Sequence, residues 1–217
     1  MGETIQASKH AVHLGNIIGP GRKTEEKAVE RAVGTLYGRT NLLLSQFGHC
    51  SRAVKFRLFN SYCMDFYGFN LWNFDDSNIE RIYVAWRKCI RRLFGLHDWT
   101  HCRLLPYIID SDPIDFRFHK GFVKFLHGCM NSNNNLVKNC IRMALNNAPN
   151  NITRNISLIC ATYGIPRHVL ENGSFIRLRR THDIDAMRTG ATIRDFMDFN
   201  LNYDSNVRFI VDYLYIN

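Results

Sequence analysis

Residues 79–94 constrain the fold of this chain more than any other stretch. At about 100° per residue, Ile79, Ile82, Tyr83, Trp86, Cys89, Ile90, Leu93 and Phe94 share one arc of an α-helix. Arg81, Arg87, Lys88, Arg91 and Arg92 all fall on the other side, where only Glu80 offsets them. No period-two pattern separates these residues, so a strand is excluded. One face must pack against other elements and the opposite face presents five cations. Asp75, Asp76 and Ser77 supply the N-terminal signal, and Gly95 ends the helix.

The neighbouring segments repeat the helical spacing. A helix is expected over 24–47, with Thr24 as its N-cap and Glu25 and Glu26 suited to the positive end of its dipole. Its pairs Ala28/Val29, Ala32/Val33, Leu36/Tyr37 and Leu43/Leu44 bury one broad face, and Gly48 closes it. Ser51 caps a second helix running to about Tyr67. Val54, Phe56, Leu58, Phe59, Tyr62, Cys63, Phe66 and Tyr67 cover most of its circumference, so this helix is expected to be central and the most enclosed. Asp112-Pro113 opens a helix over 112–128 carrying Phe116, Phe118, Phe122, Phe125 and Leu126. After an Asn-rich break at 131–135, further helices are expected near 136–146, 152–163, 185–198 and 206–215. Residues 10–18 are β-prone, and Gly19-Pro20-Gly21 then breaks the chain. The expected class is mainly α, a helical bundle.

Composition narrows the partners. The 217 residues suffice for one ordinary domain or two small ones, and 46% hydrophobic content allows a real core. A net charge of +9 directs attention to polyanions, nucleic acid first and anionic membrane second. No apolar run reaches the ~20 residues that span a bilayer, so no membrane-spanning segment is expected, and with nucleic acid taken as the polyanion no membrane partner is expected. The start, Met1-Gly2-Glu3-Thr4-Ile5-Gln6, is polar, and position 6 lacks the Ser or Thr of a myristoylation motif. The protein is therefore expected inside the cell, in nucleus or cytoplasm, and not secreted. The triplets Asn151-Ile152-Thr153, Asn155-Ile156-Ser157 and Asn172-Gly173-Ser174 are then unused for glycosylation. Seven cysteines without paired spacing read as reduced, mostly buried thiols.

Catalytic motifs are absent or incomplete. Asp75-Asp76 is the only adjacent acidic pair that could suggest a two-metal polymerase site, but Asn73 stands where an aromatic is required. Helix capping accounts for these acids better. His97, His101 and Cys102, with Cys89 upstream, lack any CxxC unit, so loop polarity and a buried Cys102 are expected and no metal site. No Gly-x-Ser-x-Gly elbow occurs. Gly19-Pro20-Gly21-Arg22-Lys23 lacks the second half of a phosphate loop, and Pro20 removes an N–H donor. No catalytic residue, small-molecule substrate or resident cofactor is expected. The basic face of 79–94 remains, and backbone-tracking phosphate contact is what such a stripe does best. Arg22, Lys23, Lys55, Arg57 and Arg103 extend it if the helices bundle, and Arg177-Leu178-Arg179-Arg180 is a second, smaller cluster.

Taken in order, several segments carry a family likeness. They are Val12-His13-Leu14-Gly15-Asn16-Ile17-Ile18, then Lys55, Leu58-Phe59 and Ser61-Tyr62-Cys63, then Tyr67-Gly68 and Leu71-Trp72. Next come Val84-Ala85-Trp86-Arg87-Lys88-Cys89-Ile90-Arg91-Arg92-Leu93-Phe94-Gly95-Leu96, Thr100-His101-Cys102-Arg103-Leu104-Leu105-Pro106, and Arg117-Phe118 with Lys120 and Phe125. The sequence resembles the carboxy-terminal part of the polymerase protein of animal non-LTR retrotransposons (LINE-type, jockey-like reverse transcriptases). The likeness covers residues 10 to about 126 and thins toward 170, where Tyr163-Gly164-Ile165-Pro166-Arg167 still fits.

The resemblance implies three regions. Residues 1–22 correspond to the end of the palm, a β-hairpin remnant with His13, Leu14 and Gly15 in the primer grip. Residues 23–96 correspond to a thumb-like three-helix unit, and 97–217 to a post-polymerase helical region. It also implies partners: RNA template, RNA–DNA hybrid or DNA, and the missing palm and fingers in another chain. The catalytic Asp pair of such enzymes belongs before residue 10, so this chain is expected to be catalytically incomplete. Mg²⁺ is expected only in the intact parent polymerase. What remains is nucleic-acid binding, or, as a rival, an inert or exapted helical protein acting through protein interactions.

Overall fold

A computed structural model describes residues 11–13, 16–18, 22–109, 111–147, 149–172 and 178. Two strands, β1 (Ala11–His13) and β2 (Asn16–Ile18), precede the helices α1 (Arg22–Phe47), α2 (Arg52–Leu58) and α3 (Ser77–Phe94). Then follow α4 (Leu105–Ile108), α5 (Ile114–Met130), α6 (Asn135–Asn146), α7 (Asn151–Tyr163) and α8 (Arg167–Glu171). The described chain is mainly helical, as its periodicity predicts. The strands pair antiparallel, with Ala11 opposite Ile18 and His13 opposite Asn16. Leu14, Gly15, Gly19-Pro20-Gly21 and the expected helices 185–198 and 206–215 lie outside the described residues.

The first three helices form an up-down-up unit. Glu25, near the start of α1, accepts a hydrogen bond from the Asn73 N–H just before α3. Farther along, Thr40 lies against both Cys63 and Cys89. α1 and α3 therefore run parallel, side by side. At their far end, Lys55 Nζ donates to the Gly48 carbonyl at 3.4 Å and the Phe56 ring lies 6.0 Å from that of Phe94. The chain then returns antiparallel through α2 and the turns after it. α1 begins two residues earlier than expected, so Thr24 is a buried residue of its first turn and not the N-cap.

α2 corrects one expectation. The expected enclosed helix to Tyr67 is seven residues long, and none of them is buried. Ser51 does cap it, its side chain accepting from the Val54 N–H at 3.4 Å. A wide π-helical turn, Phe59–Cys63, follows. There only Phe59 and Cys63 turn inward, while Tyr62 stays exposed with the Arg39 guanidinium 5.2 Å from its ring. The helix lies on the outside of the bundle, so the apolar residues on its outer side have nothing to pack against. The most enclosed helix is α3, with Ile79, Ile82, Ala85, Trp86, Cys89, Ile90, Leu93 and Phe94 all buried. Asp76 caps it, accepting from the Asn78 N–H at 2.9 Å, and Gly95 closes it at φ 65°. A left-handed residue there satisfies the last carbonyls without a Cβ clash.

α5 and α7 pack over the segment between α2 and α3, and α6 and α8 pack against α5 and α7. Phe118 of α5 is the hub. Its ring stacks on Phe69 at 4.7 Å and meets Phe66, Trp72, Phe74 and Tyr83 at 5.5–6.3 Å. Such aromatic pairs add about 0.5–1.5 kcal/mol each beyond their burial. Gly121 makes the Phe69 stack possible, since a Cβ at 121 would sit 2.5 Å from Phe69 Cζ.

A polar clamp completes the seal. Asn155 of α7, fully buried, accepts from the Phe74 N–H at 2.9 Å and donates to the Trp72 carbonyl at 2.7 Å. One turn earlier, Asn151 donates to the Leu71 carbonyl and to Glu25, both at 3.0 Å. The clamp thus ties α7, the 71–74 segment and α1 together. One hydrophobic core cluster takes residues from Val29 to Leu178.

The cysteines also depart from expectation. Cys63 and Cys89 are buried, Cys50, Cys129 and Cys160 are half-buried, and Cys102 and Cys140 are exposed. The exposed pair sits in a loop and on the outer side of α6, positions that sequence spacing does not distinguish.

Candidate nucleic-acid interface

The basic face of α3 is built from the core outward. Its apolar arc is held by α1 on one side and by α5 and α4 on the other, which turns the cations away from the core. The five cations are not equivalent. Arg87 is half-buried and ion-paired with Glu80, two turns back on the same side of the helix. Arg91 is half-buried and donates from Nε and Nη2 to the Thr100 carbonyl at 3.1 and 2.7 Å. Arg81, Lys88 and Arg92 are exposed and make no hydrogen bond or ion pair among the described residues. At ~100° and ~1.5 Å per residue, these three fall within an arc of about 40° and along about 17 Å of helix. That length matches roughly five phosphates of one strand at ~3.4 Å each.

The bundle distributes the other expected cations. Lys55 and Arg57 lie at the end of the unit near Phe94, where Lys55 satisfies the Gly48 carbonyl at the end of α1 and Arg57 is exposed. Lys23 is exposed at the opposite end, beside the start of α1. Along α1 that separation is about 36 Å at ~1.5 Å per residue, so Lys23 does not join the same cluster as Lys55 and Arg57. Arg22 opens α1, but its side chain lies outside the described residues. Arg103 is exposed in the loop after α3. His13 ends β1, opposite Asn16.

A second basic location lies on α5. Arg117, Lys120 and Lys124 line a cleft of about 410 Å³ with Asn60, Ser111, Asp112 and Gly121. Arg117 donates to the Asn60 side-chain oxygen at 2.7 Å, and Lys120 pairs with Asp112 at 3.2 Å. Burial presses the Arg117 guanidinium below its usual range while Asp112 resists; arginine remains cationic throughout. The sequence reading did not name this cleft. The signal was present in the i, i+3, i+7 spacing of the three cations.

The chemical alternatives do not assemble. Asp76 serves as the N-cap of α3 and Asp75 is exposed. His97 stacks on Trp99, the His101 ring nitrogen accepts the Arg103 N–H at 3.2 Å, Cys102 is exposed and Cys89 is in the core. Among the described residues no three His, Cys, Asp or Glu side chains group as metal ligands would. Burial pushes the Cys89 thiol up to about 11, so it is no nucleophile near neutral pH. No helix of the described residues is long and apolar enough to cross a membrane.

Among the described residues, the one buried histidine serves the packing. His119 Nδ1 lies 2.8 Å from the Tyr163 hydroxyl; the His119 ring packs on Phe74 and the Tyr163 ring on Phe116. Burial lowers the His119 pKa below its ordinary 6.5, and nearby Asp115 only partly opposes this. Tyr83 and Tyr163 are pushed up by the same burial. As pH falls below about 6.5 the unfolded chain protonates this histidine first. Stability is therefore complete above that pH and declines below it, until the buried ring itself takes a proton. The limiting slope is about 1.4 kcal/mol per pH unit. Thermal midpoints measured from about pH 7 to pH 5.5 should fall less steeply in His119→Gln than in the parent. Identical slopes in the two proteins would refute the burial argument.

Neither a family model, a curated protein nor a solved structure matches this chain.

Proposed function

We propose that the chain binds nucleic acid by its phosphate backbone along the Arg81–Lys88–Arg92 stripe. In this reading it is a thumb-like, catalytically incomplete part of a non-LTR retrotransposon reverse transcriptase. The observation that carries the proposal is the alignment of three exposed cations, unpaired among the described residues, on the outward face of the best-buried helix. A helix fixed on its whole inner face holds its outer charges in register, so contact orders side-chain rotamers and no backbone. The up-down-up arrangement of α1, α2 and α3 agrees with a three-helix thumb, which is an agreement of architecture. The partners are RNA template, RNA–DNA hybrid or DNA, and phosphate contacts read no sequence. Nucleotide addition is not assigned to these residues: any Mg²⁺-holding carboxylates and the rest of the polymerase would belong to a palm outside them.

The test is titration of the purified chain with a labelled RNA–DNA hybrid across a salt series. Log affinity should fall linearly with log salt, with a slope of about −0.9 for each phosphate neutralised, so at least about −2.7 for the stripe. A hybrid of scrambled sequence should bind equally well. Absent or salt-independent binding would overturn the proposal.

A further inference from the structure

One side of α3 borders a loop that carries an unusual surface. Of the three tryptophans, Trp72 and Trp86 are buried at 6% and 2% exposure, while Trp99 is 62% exposed. Its indole lies nearly parallel to the His97 ring, with centroids 5.1 Å apart and planes 13° apart. The pair forms a flat platform at the surface. An indole left in water forgoes a large apolar burial, so the platform is explained best by something that covers it.

The loop is held in shape. Arg91 donates twice to the Thr100 carbonyl, next to Trp99. The Thr100 N–H donates to the His97 carbonyl and the Leu104 N–H to the His101 carbonyl, both at 3.0 Å. Leu105 then anchors the chain in the core. Arg91 stands about 60° around α3 from Lys88 at ~100° per residue, so the loop flanks the stripe. Residues 87–103 carry five cations, Arg87, Lys88, Arg91, Arg92 and Arg103, against one carboxylate, Asp98.

An exposed aromatic set among cations suits a ligand that offers anions and flat rings together. We infer that Trp99, backed by His97, stacks a nucleobase of a single strand whose phosphates follow the α3 stripe. The inference rests on the phosphate-contact reading above and adds a contact of a different kind. Stacking tolerates any base because every base has a π-face. Trp99 supplies the platform, His97 supports it from one side, and Arg91 positions the loop without touching the base.

The experiment compares the full chain on labelled single-stranded oligothymidylate and on an abasic strand of the same length. The parent should prefer the base-bearing strand by roughly 5- to 150-fold, with its tryptophan fluorescence quenched on binding. Trp99→Ala should bind both strands with the abasic affinity, keeping the parent's salt slope and melting temperature. Trp99→Phe should retain most of the preference. Salt-dependent but equal binding of the two strands by the parent would overturn the stacking contact and leave the phosphate reading standing. No salt-dependent binding of either strand would overturn both.

Discussion

Replacing Asn155 with leucine is expected to destabilise the protein by about 2–5 kcal/mol. The side chain is fully buried and holds two backbone groups, the Phe74 N–H and the Trp72 carbonyl. Leucine keeps the branched four-atom skeleton and is bulkier, so no cavity opens and the loss comes from polarity, with any crowding adding to it. Both backbone groups would stay buried without a partner, and each such group costs about 1–3 kcal/mol. For a chain of this size the thermal midpoint should fall by roughly 5–20 °C. Asn151→Ala is the useful comparison. Asn151 is only half-buried, so water can replace much of what it provides and a smaller drop is expected. Circular dichroism on heating measures both. A midpoint for Asn155→Leu within a degree or so of the parent would rule out the clamp.

The second large effect concerns binding. The triple variant Arg81→Ala, Lys88→Ala, Arg92→Ala should lower affinity for an RNA–DNA hybrid by on the order of 10²- to 10³-fold, since charge-assisted hydrogen bonds contribute about 1.5–3 kcal/mol each before screening. Its salt slope should be shallower by about 2.7, the value for three lost phosphate contacts. Thermal stability should hold, because the three side chains are exposed and make no ion pair among the described residues. Arg87→Ala is the contrast: it frees Glu80 from its ion pair and should change the slope by about one contact or less. An unchanged slope in the triple variant would remove the stripe from the interface.

These contrasts mark where the sequence was informative. The inner face of α3 was legible because eight apolar residues keep one helical phase and both ends carry caps. The pairing of Arg87 with Glu80 was also within reach, since residues seven apart share a face. The loss of Arg91 to the Thr100 carbonyl was not, because a loop has no period from which its path can be read. α2 misled for a related reason. A helix apolar all round reads as enclosed, but enclosure depends on neighbours, and α2 lies on the outside. Asn155 misled most. Asn155-Ile156-Ser157 has the form of a glycosylation triplet, a pattern that belongs to surface loops, and the structure puts its amide in the core. The exposed platform of His97 and Trp99 lies in the 97–101 loop, where metal ligation was weighed against loop polarity and Trp99 was not considered.

The Asn155 clamp also sets a timetable. Trp72 is 83 residues ahead of the side chain that holds its carbonyl. During synthesis at about 5–20 residues per second, Trp72 is made roughly 4–17 s before the side chain that clamps it. The up-down-up helices can close within that interval, because their contacts are made by residues already synthesised. The face that α5 and α7 will cover cannot. Until α5 brings Phe118 over them, the nascent chain leaves Phe66, Phe69, Trp72 and Phe74 uncovered, and a chaperone that reads aromatic surface would find them there.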